Sequence, residues 1–199
     1  QKDWQKEAEF IQNNLNENDI RLAFKNLPKE FQDDVSEDLI KKLLIRKKDL
    51  PKYASQYYHL LNQKVILTGT DKKDRFVITR LPNNETEIKI IRLKKSGEEL
   101  QSSKLYSGKI TKEIFLYGLD DDDEYLVEGN EKSTIKLSLL GGLDNDKYSI
   151  SNSKKVKIFD YKTKKNDFEN KGNSRLILTD DYDINQYNYR NPKYNVFTT

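Results

Sequence analysis

Four consecutive aspartates, Asp120, Asp121, Asp122 and Asp123, stand between two short apolar runs in YGLDDDDEYLVEG, residues 117–129. Neighbouring like charges repel, so something must make the crowding tolerable. Two chemistries can do that. A hard cation such as calcium can be held by carboxylate and carbonyl oxygens. Alternatively, water can solvate an exposed acidic turn whose charge keeps a sheet edge from aggregating. The frame around the run recurs along the chain. Gly118, Asp123 five positions on and Tyr125 two further match Gly141, Asp146 and Tyr148. Gly69, Asp74 and Phe76 fit as well, and Asn166-Asp167-Phe168 is a degraded echo. From Tyr125 the aromatic recurs at intervals of 23 and 20 residues, the length of one strand–turn–strand–turn coil of a β-solenoid. Stacked strands lie about 4.8 Å apart, a spacing at which Asp123 and Asp146 could bridge one cation. Asp120, Asp121, Asp123, Asp144 and Asp146 are therefore the candidate calcium ligands. Asp74, flanked by Lys72, Lys73 and Arg75, reads instead as an ion-paired surface turn.

No other constellation points to catalysis. His59, the single histidine, sits among Tyr57, Tyr58, Leu60 and Leu61 with no Ser, Asp or second His at a serviceable spacing, and reads as a partly buried packing residue. Pairs of acids that could form a glycosidase dyad arise by chance in a chain with 33 Asp and Glu, so they carry no signal. The prediction is no catalytic residue. Tyr182, Tyr187, Tyr189 and Tyr194 could make a glycan- or lipid-headgroup-binding strip, but the reading preferred for them is a cover over the open end of a β-stack.

These residues need elements to position them. The 199 residues suffice for one large domain or two small ones. A 35% hydrophobic and 35% charged composition leans toward disorder, but 12 Tyr, 8 Phe and patterned Val/Ile/Leu make the chain globular. The net charge of +3 is slight and the lysines are scattered in pairs, which argues against a nucleic-acid binder. With no cysteine there is no disulfide framework or thiolate site. No apolar run approaches the roughly 18 residues of a spanning helix. The start at Gln1 without a signal-like segment suggests a processed chain or a piece of a longer one.

Residues 1–63 read as helical. Trp4, Ala8, Phe10, Ile11 and Leu15 form one face, with Trp4 and Phe10 in the core. Asn18 caps a second helix, Ser36 starts a third with Leu39, Leu43 and Leu44 inward, and Pro51 opens a fourth. From residue 64 the period changes to two: KVILTGT, DRFVITRL, ETEIKIIRL and, from 112 on, six further short runs are predicted strands. Residues 93–109 are polar and read as a loop. The fold class is α+β, a small helical part packed on a β-rich body over 64–179, with a Tyr-rich tail over 180–199. A short β-solenoid or roll is preferred, and an antiparallel meander or sandwich is the alternative, because Gly-Asp turns also close hairpins. Parallel pairing of 114–117 with 135–140 favours the first; antiparallel pairing with 124–127 favours the second.

Two resemblances follow. GGLDNDKYS, residues 141–149, is similar to the repeats-in-toxin calcium nonapeptide at both leading glycines, at Asp146 and at Tyr148. It departs at Asp144, where that pattern has glycine, and YGLDDDDEYL departs at Leu119 and Asp121. The resemblance implies calcium in the turns, shared between successive coils. A longer likeness runs through NDIRLAFKNLPKEF, LIKKLLIRKKDLPKYASQYYHLLNQKVILTGTDKKDRFVITRL, both Gly/Asp turns and DDYDINQYNYRNPKYN. Together they resemble a linker region of large outer-membrane proteins of Bacteroidota, between a calcineurin-like metallophosphoesterase domain and a surface-antigen-type β-barrel. That implies a non-catalytic structural spacer in the cell envelope, on the periplasmic or surface side of the outer membrane. Its partners would be the flanking domains of a longer chain. A glycan- or protein-binding module is the alternative, using the tyrosines or residues 93–109. The metal motifs of the phosphoesterase itself are absent from these residues.

Overall fold

The computed structural model describes residues 2–190 and divides into two compact units between Asn62 and Gln63. The first holds α1 (Lys2–Asn14), α2 (Glu17–Lys25), α3 (Asp34–Lys48) and α4 (Leu50–Leu61). Local chemistry fixes the helix starts, though not at the residues the pattern suggests. Asn16, not Asn18, caps α2: its side chain accepts from Asp19 N–H at 3.0 Å while Asp19 accepts from Asn16 N–H at 2.9 Å, closing a capping box. Asp33, not Ser36, caps α3. Ser36 lies one turn inside, buried, with its hydroxyl donating to Phe31 O. Pro51 sits in the first turn of α4 as expected. The apolar faces are barely covered: Ala8, Ile20 and Ile40 are the buried apolar residues of these helices. Leu39, Leu43 and Phe10 are exposed, contrary to the core assignment. Trp4 is also exposed but packs its ring 5.9 Å from that of Tyr57. His59 is exposed beside Tyr58, so the partly buried packing role does not hold.

The second unit is β-rich, which makes the molecule α+β. Its strands are β1 (Lys64–Thr68), β2 (Asp74–Leu81), β3 (Glu85–Lys94), β4 (Gly97–Ser107), β5 (Glu113–Leu119), β6 (Glu124–Glu128), β7 (Lys136–Gly142), β8 (Lys147–Ile150), β9 (Val156–Asp160), β10 (Asp167–Asn170) and β11 (Arg175–Leu178). They form a five-stranded sheet in the order β1-β5-β7-β9-β11 and a six-stranded sheet in the order β10-β8-β6-β2-β3-β4. Every pairing in the first sheet is parallel, as are β2–β6, β6–β8 and β8–β10. Only β2–β3 and β3–β4 are antiparallel. Ile114 pairs with Leu137 and Leu116 with Leu139, while β5 and β6 lie in different sheets. The expected parallel pairing of 114–117 with 135–140 is present, and the antiparallel pairing with 124–127 that the meander alternative requires does not occur.

Period-two patterning places the core. Ile114 and Leu116 of β5, Leu137 and Leu139 of β7, and Ile158 of β9 meet Phe76, Ile78, Tyr125, Val127 and Tyr148 from the other sheet. Phe115, Tyr117, Leu140 and Phe159 form a second buried cluster with Ile184 and Tyr187 packed against it. These come from α5 (Tyr182–Asn185) and the residues after it, so this part of the tail packs on the first sheet near β7 and β9. Tyr187 rests 5.2 Å from the Tyr117 ring, whereas Tyr182 and Tyr189 are exposed. Tyr194 lies outside the described residues.

Residues 93–109 are not a loop. Lys95-Ser96 turn the chain into β4, an edge strand bonded to β3 over ten residue pairs, Glu85–Ser107 to Lys94–Gly97. An edge strand exposed along most of its length needs no apolar face, so its composition hid it. No described helix is long and apolar enough to cross a membrane.

Candidate functional site

The repeated Gly–Asp–aromatic frame is one structural device seen several times. Parallel register sets Gly69, Gly118 and Gly141 side by side, since Thr68 pairs with Tyr117 and Tyr117 with Leu140. Asp160 follows in β9, the neighbour of Gly141, because Leu140 pairs with Phe159. Across the turns, Asp74, Asp123 and Asp146 begin or precede the strands of the other sheet, and Phe76, Tyr125, Tyr148 and Phe168 stack behind them. The ring centroids are 4.8, 5.0 and 5.3 Å apart and the planes within 11° of parallel, which is the strand spacing expressed in side chains.

The aspartates form a ladder. Asp74 N–H donates to Asp123 Oδ1 at 2.7 Å, Asp123 N–H to Asp146 Oδ1 at 2.8 Å, and Asp146 N–H to Asn166 Oδ1 at 2.8 Å. Each side chain turns inward because its glycine leaves room. A β-carbon on Gly118 would sit 2.1 Å from Asp123 Oδ2, and one on Gly141 2.2 Å from Asp146 Oδ2. Asn166, the degraded echo, keeps the hydrogen bond and loses the charge.

The crowding of residues 120–123 is resolved one carboxylate at a time. Asp120 accepts the N–H of Asp121 at 3.0 Å and Asp121 that of Asp122 at 2.9 Å. Asp122 accepts from Asn145 N–H at 3.0 Å, whose own side chain accepts from Lys165 N–H at 2.9 Å. Asp123 takes the N–H of Asp74, as above. All four carboxylates therefore receive a backbone donor. The solvated reading does not hold for Asp123, which is wholly buried.

Asp74 is ion-paired as expected, but not at a surface and not with its sequence neighbours. It too is fully buried, with Arg92 Nε donating to Oδ1 at 2.8 Å and both Thr70 N–H and Thr70 Oγ1 donating to Oδ2 at 2.8 Å. The cations beside it in sequence point elsewhere, Lys73 and Arg75 to Glu124. Arg92 faces Asp74 because the two pair directly across the β2–β3 hairpin. Counting back from Pro82-Asn83-Asn84 would have exposed that partner.

Burial pushes the Asp123 carboxyl up to about 8 and that of Asp146 to about 9, with the negative charges of Asp74 and Asp160, respectively, adding to the effect. Burial also raises Asp160, to about 6, against hydrogen bonds from Tyr148 Oη at 2.7 Å and Tyr161 N–H at 2.6 Å. Asp160 escaped the motif because it stands where the neighbouring strands carry glycine; its place one repeat after Gly141 was the available signal. Arg80, also unanticipated, is buried with donors to Thr86 Oγ1 and Ile135 O, both at 3.1 Å, and burial draws it down to about 10.

Of the five candidate ligands, Asp123 and Asp146 meet in the ladder, whereas Asp120, Asp121 and Asp144 stay partly exposed in the turns. Asp144 lies 3.5 Å from the Lys164 ammonium. The Oδ1 atoms of Asp120, Asp121, Asp123 and Asp146 are already engaged by backbone N–H groups, and calcium requires six to eight oxygens. Among the described residues no three or more His, Cys, Asp or Glu side chains gather to hold a metal. The five carboxylates are thus not gathered at one point, and no step is routed through calcium. Asp121 and Asp144 have φ of 70° and 69°, and Leu119 has 91° beside Gly142 at 105°. The departures from the nonapeptide fall where the backbone is left-handed, the conformation glycine favours. No family model matches the chain, and neither a curated protein nor a solved structure matches it.

Proposed function

We propose that the chain is a non-catalytic structural spacer of a cell-envelope protein, its β-rich body a short β-solenoid. The observation that supports this reading is the register of the three columns. Glycines, ladder carboxyls and aromatic rings repeat from coil to coil through parallel strands, so the turns and core of one coil template the next. Such a body holds its two ends at a fixed separation, which is what a spacer needs. The place of the module, between a metallophosphoesterase domain and an outer-membrane barrel of a longer chain, rests on the sequence resemblance. In this reading the stiffening comes from the ladder and the stacked rings rather than from bound calcium.

A distance measurement tests the spacer. The chain has no cysteine, so Thr68→Cys and Leu178→Cys place two spin labels on β1 and β11, the outer strands of the five-stranded sheet. Four strand spacings predict a single narrow distance distribution near roughly 20 Å between the backbones. A broad distribution would count against a rigid spacer. A second reading, a glycan-binding surface, is favoured by the exposure of Tyr182 and Tyr189 at 67% and 70%. Glycan-array binding that is lost in Tyr182→Ala and Tyr189→Ala would establish it instead.

A further inference from the structure

At Asp123, Asp146 and Asn166 one side-chain oxygen does the same work, accepting the backbone N–H of the preceding coil. The second atom differs. Asn166 Nδ2 donates to Tyr161 O at 3.3 Å. In Asp74, at the other end, Oδ2 is saturated by Thr70 and the carboxylate is paired with Arg92. Between these ends, Asp123 Oδ2 and Asp146 Oδ2 are buried and accept no hydrogen bond. What surrounds them are acceptors and two hydroxyls whose protons are already given, Tyr125 to Leu140 O and Tyr148 to Asp160. Asp123 Oδ2 and Gly141 O both lie within 2.3 Å of the point a β-carbon would take on Gly118. Asp146 Oδ2, Asp160 Oδ2 and Tyr148 Oη lie within 2.6 Å of the corresponding point on Gly141. An ionised oxygen there would be buried, without a donor and beside further negative charge.

We propose that Asp123 and Asp146 are held as uncharged carboxylic acids, so that the column is a proton-binding stack in which each carboxyl O–H takes the part of the Asn166 amide. The acceptor at hand for Asp123 is the Gly141 carbonyl. For Asp146 it is the Asp160 carboxylate, so those two acids share one proton. The charged surroundings agree. Asp74, Asp121 and Lys73 act on Asp123, and Lys73 already pairs with Glu124. Asp160, Asp123 and Asp122 act on Asp146. Tyr125 and Tyr148, both pushed upward by burial, remain neutral, and Lys164 acts on Asp160 from beside Asp144.

The sign of the pH dependence follows. An unfolded aspartate loses its proton near about pH 3.9, whereas the folded column retains it to well above that. From about pH 4 up to the folded values of about 8 and 9, the unfolded chain binds fewer protons than the folded one. Stability contributed by these two groups therefore falls as pH rises through that window and levels off above it.

The test uses the full chain with 13C-labelled aspartate. Two carboxyl resonances should remain in the protonated position past neutral pH and be missing in Asp123→Asn/Asp146→Asn. The wild-type melting temperature should fall by several degrees between about pH 5 and about pH 9, and the double variant should lose most of that slope. Calcium against chelator should leave the wild type unchanged. If every aspartate carboxyl titrates below about pH 5, the proposal is overturned. A melting temperature raised by calcium in the wild type and not in the double variant also overturns it, because a cation would then neutralise the column. Should the double variant fail to fold, the wild-type carboxyl titration decides alone.

Discussion

At the scale of single residues, the glycines of the frame matter for the absence of a side chain rather than for backbone freedom. Gly118 has no left-handed φ among the described backbone values, yet a β-carbon there would lie 2.1 Å from Asp123 Oδ2 and 2.3 Å from Gly141 O. The second contact is backbone and cannot swing away. Gly118→Ala should cost about 3 kcal/mol in chemical denaturation, at the upper end of overpacking. Gly97→Ala, whose φ of 128° is strained but whose β-carbon would meet nothing within 4 Å, should cost about 1 kcal/mol. The Gly–Asp–aromatic spacing was legible in the sequence because all three residues lie within eight positions. The burial of Asp74 and Asp123 was not. It depends on the neighbouring turn, and charged sequence neighbours such as Lys73 suggested a surface that the fold does not provide.

At the scale of elements, the strands with alternating apolar residues could be read, and those without could not. β5 and β7 are apolar on both faces because both faces are covered. β4 and β10 have mostly exposed side chains and gave no pattern, although Phe168 of β10 completes the ring stack. Helix existence was clear, while helix starts moved to Asn16 and Asp33, whose caps depend on side-chain rotamers rather than on periodicity. The ladder makes an unusual demand on its turns. The amides of Asp123 and Asp146 are bonded to side-chain oxygens, one buried and one partly buried, so hydrogen exchange should find them on the order of a hundredfold slower than the amide of exposed Asp122. Equal exchange at the three positions would mean that the ladder opens as readily as an ordinary turn.

At the scale of the whole molecule, the division near residue 63 was visible as a change of hydrophobic period, and the two units differ in how they are held. The β-rich unit buries a continuous core between its sheets. The helical unit leaves Phe10, Leu22, Phe31, Val35, Ile45 and Leu60 more than half exposed, so its helices depend more on caps and i,i+4 pairs such as Glu17–Arg21. Parallel topology was legible only through the repeat. Strand patterning alone allowed a meander, and it was the alignment of Tyr125 with Tyr148 that implied parallel strands lying in register.

The two edges of the β-rich unit obey different rules of length. From glycine to aspartate the chain always takes five steps, 69 to 74, 118 to 123 and 141 to 146. The return path is free: Phe76 to Gly118 takes 42 steps, Tyr125 to Gly141 takes 16, and Tyr148 to Asp160 takes 12. The whole β3–β4 hairpin is carried within the first of these returns. Viewed as a display scaffold, the molecule therefore has a nearly constant margin, five steps in the Gly–Asp turns and six from Asp160 to Asn166, and a writable one, and a lineage or an engineer can add long sequence only along the second. A flexible segment of about ten residues grafted between Lys95 and Ser96 should shift the melting temperature by no more than roughly 2 °C. Two extra glycines after Asp121, more than the six steps that Asp160 to Asn166 accommodates with the ladder bond kept, would carry Asp123 out of the ladder and should lower it by roughly 5–10 °C.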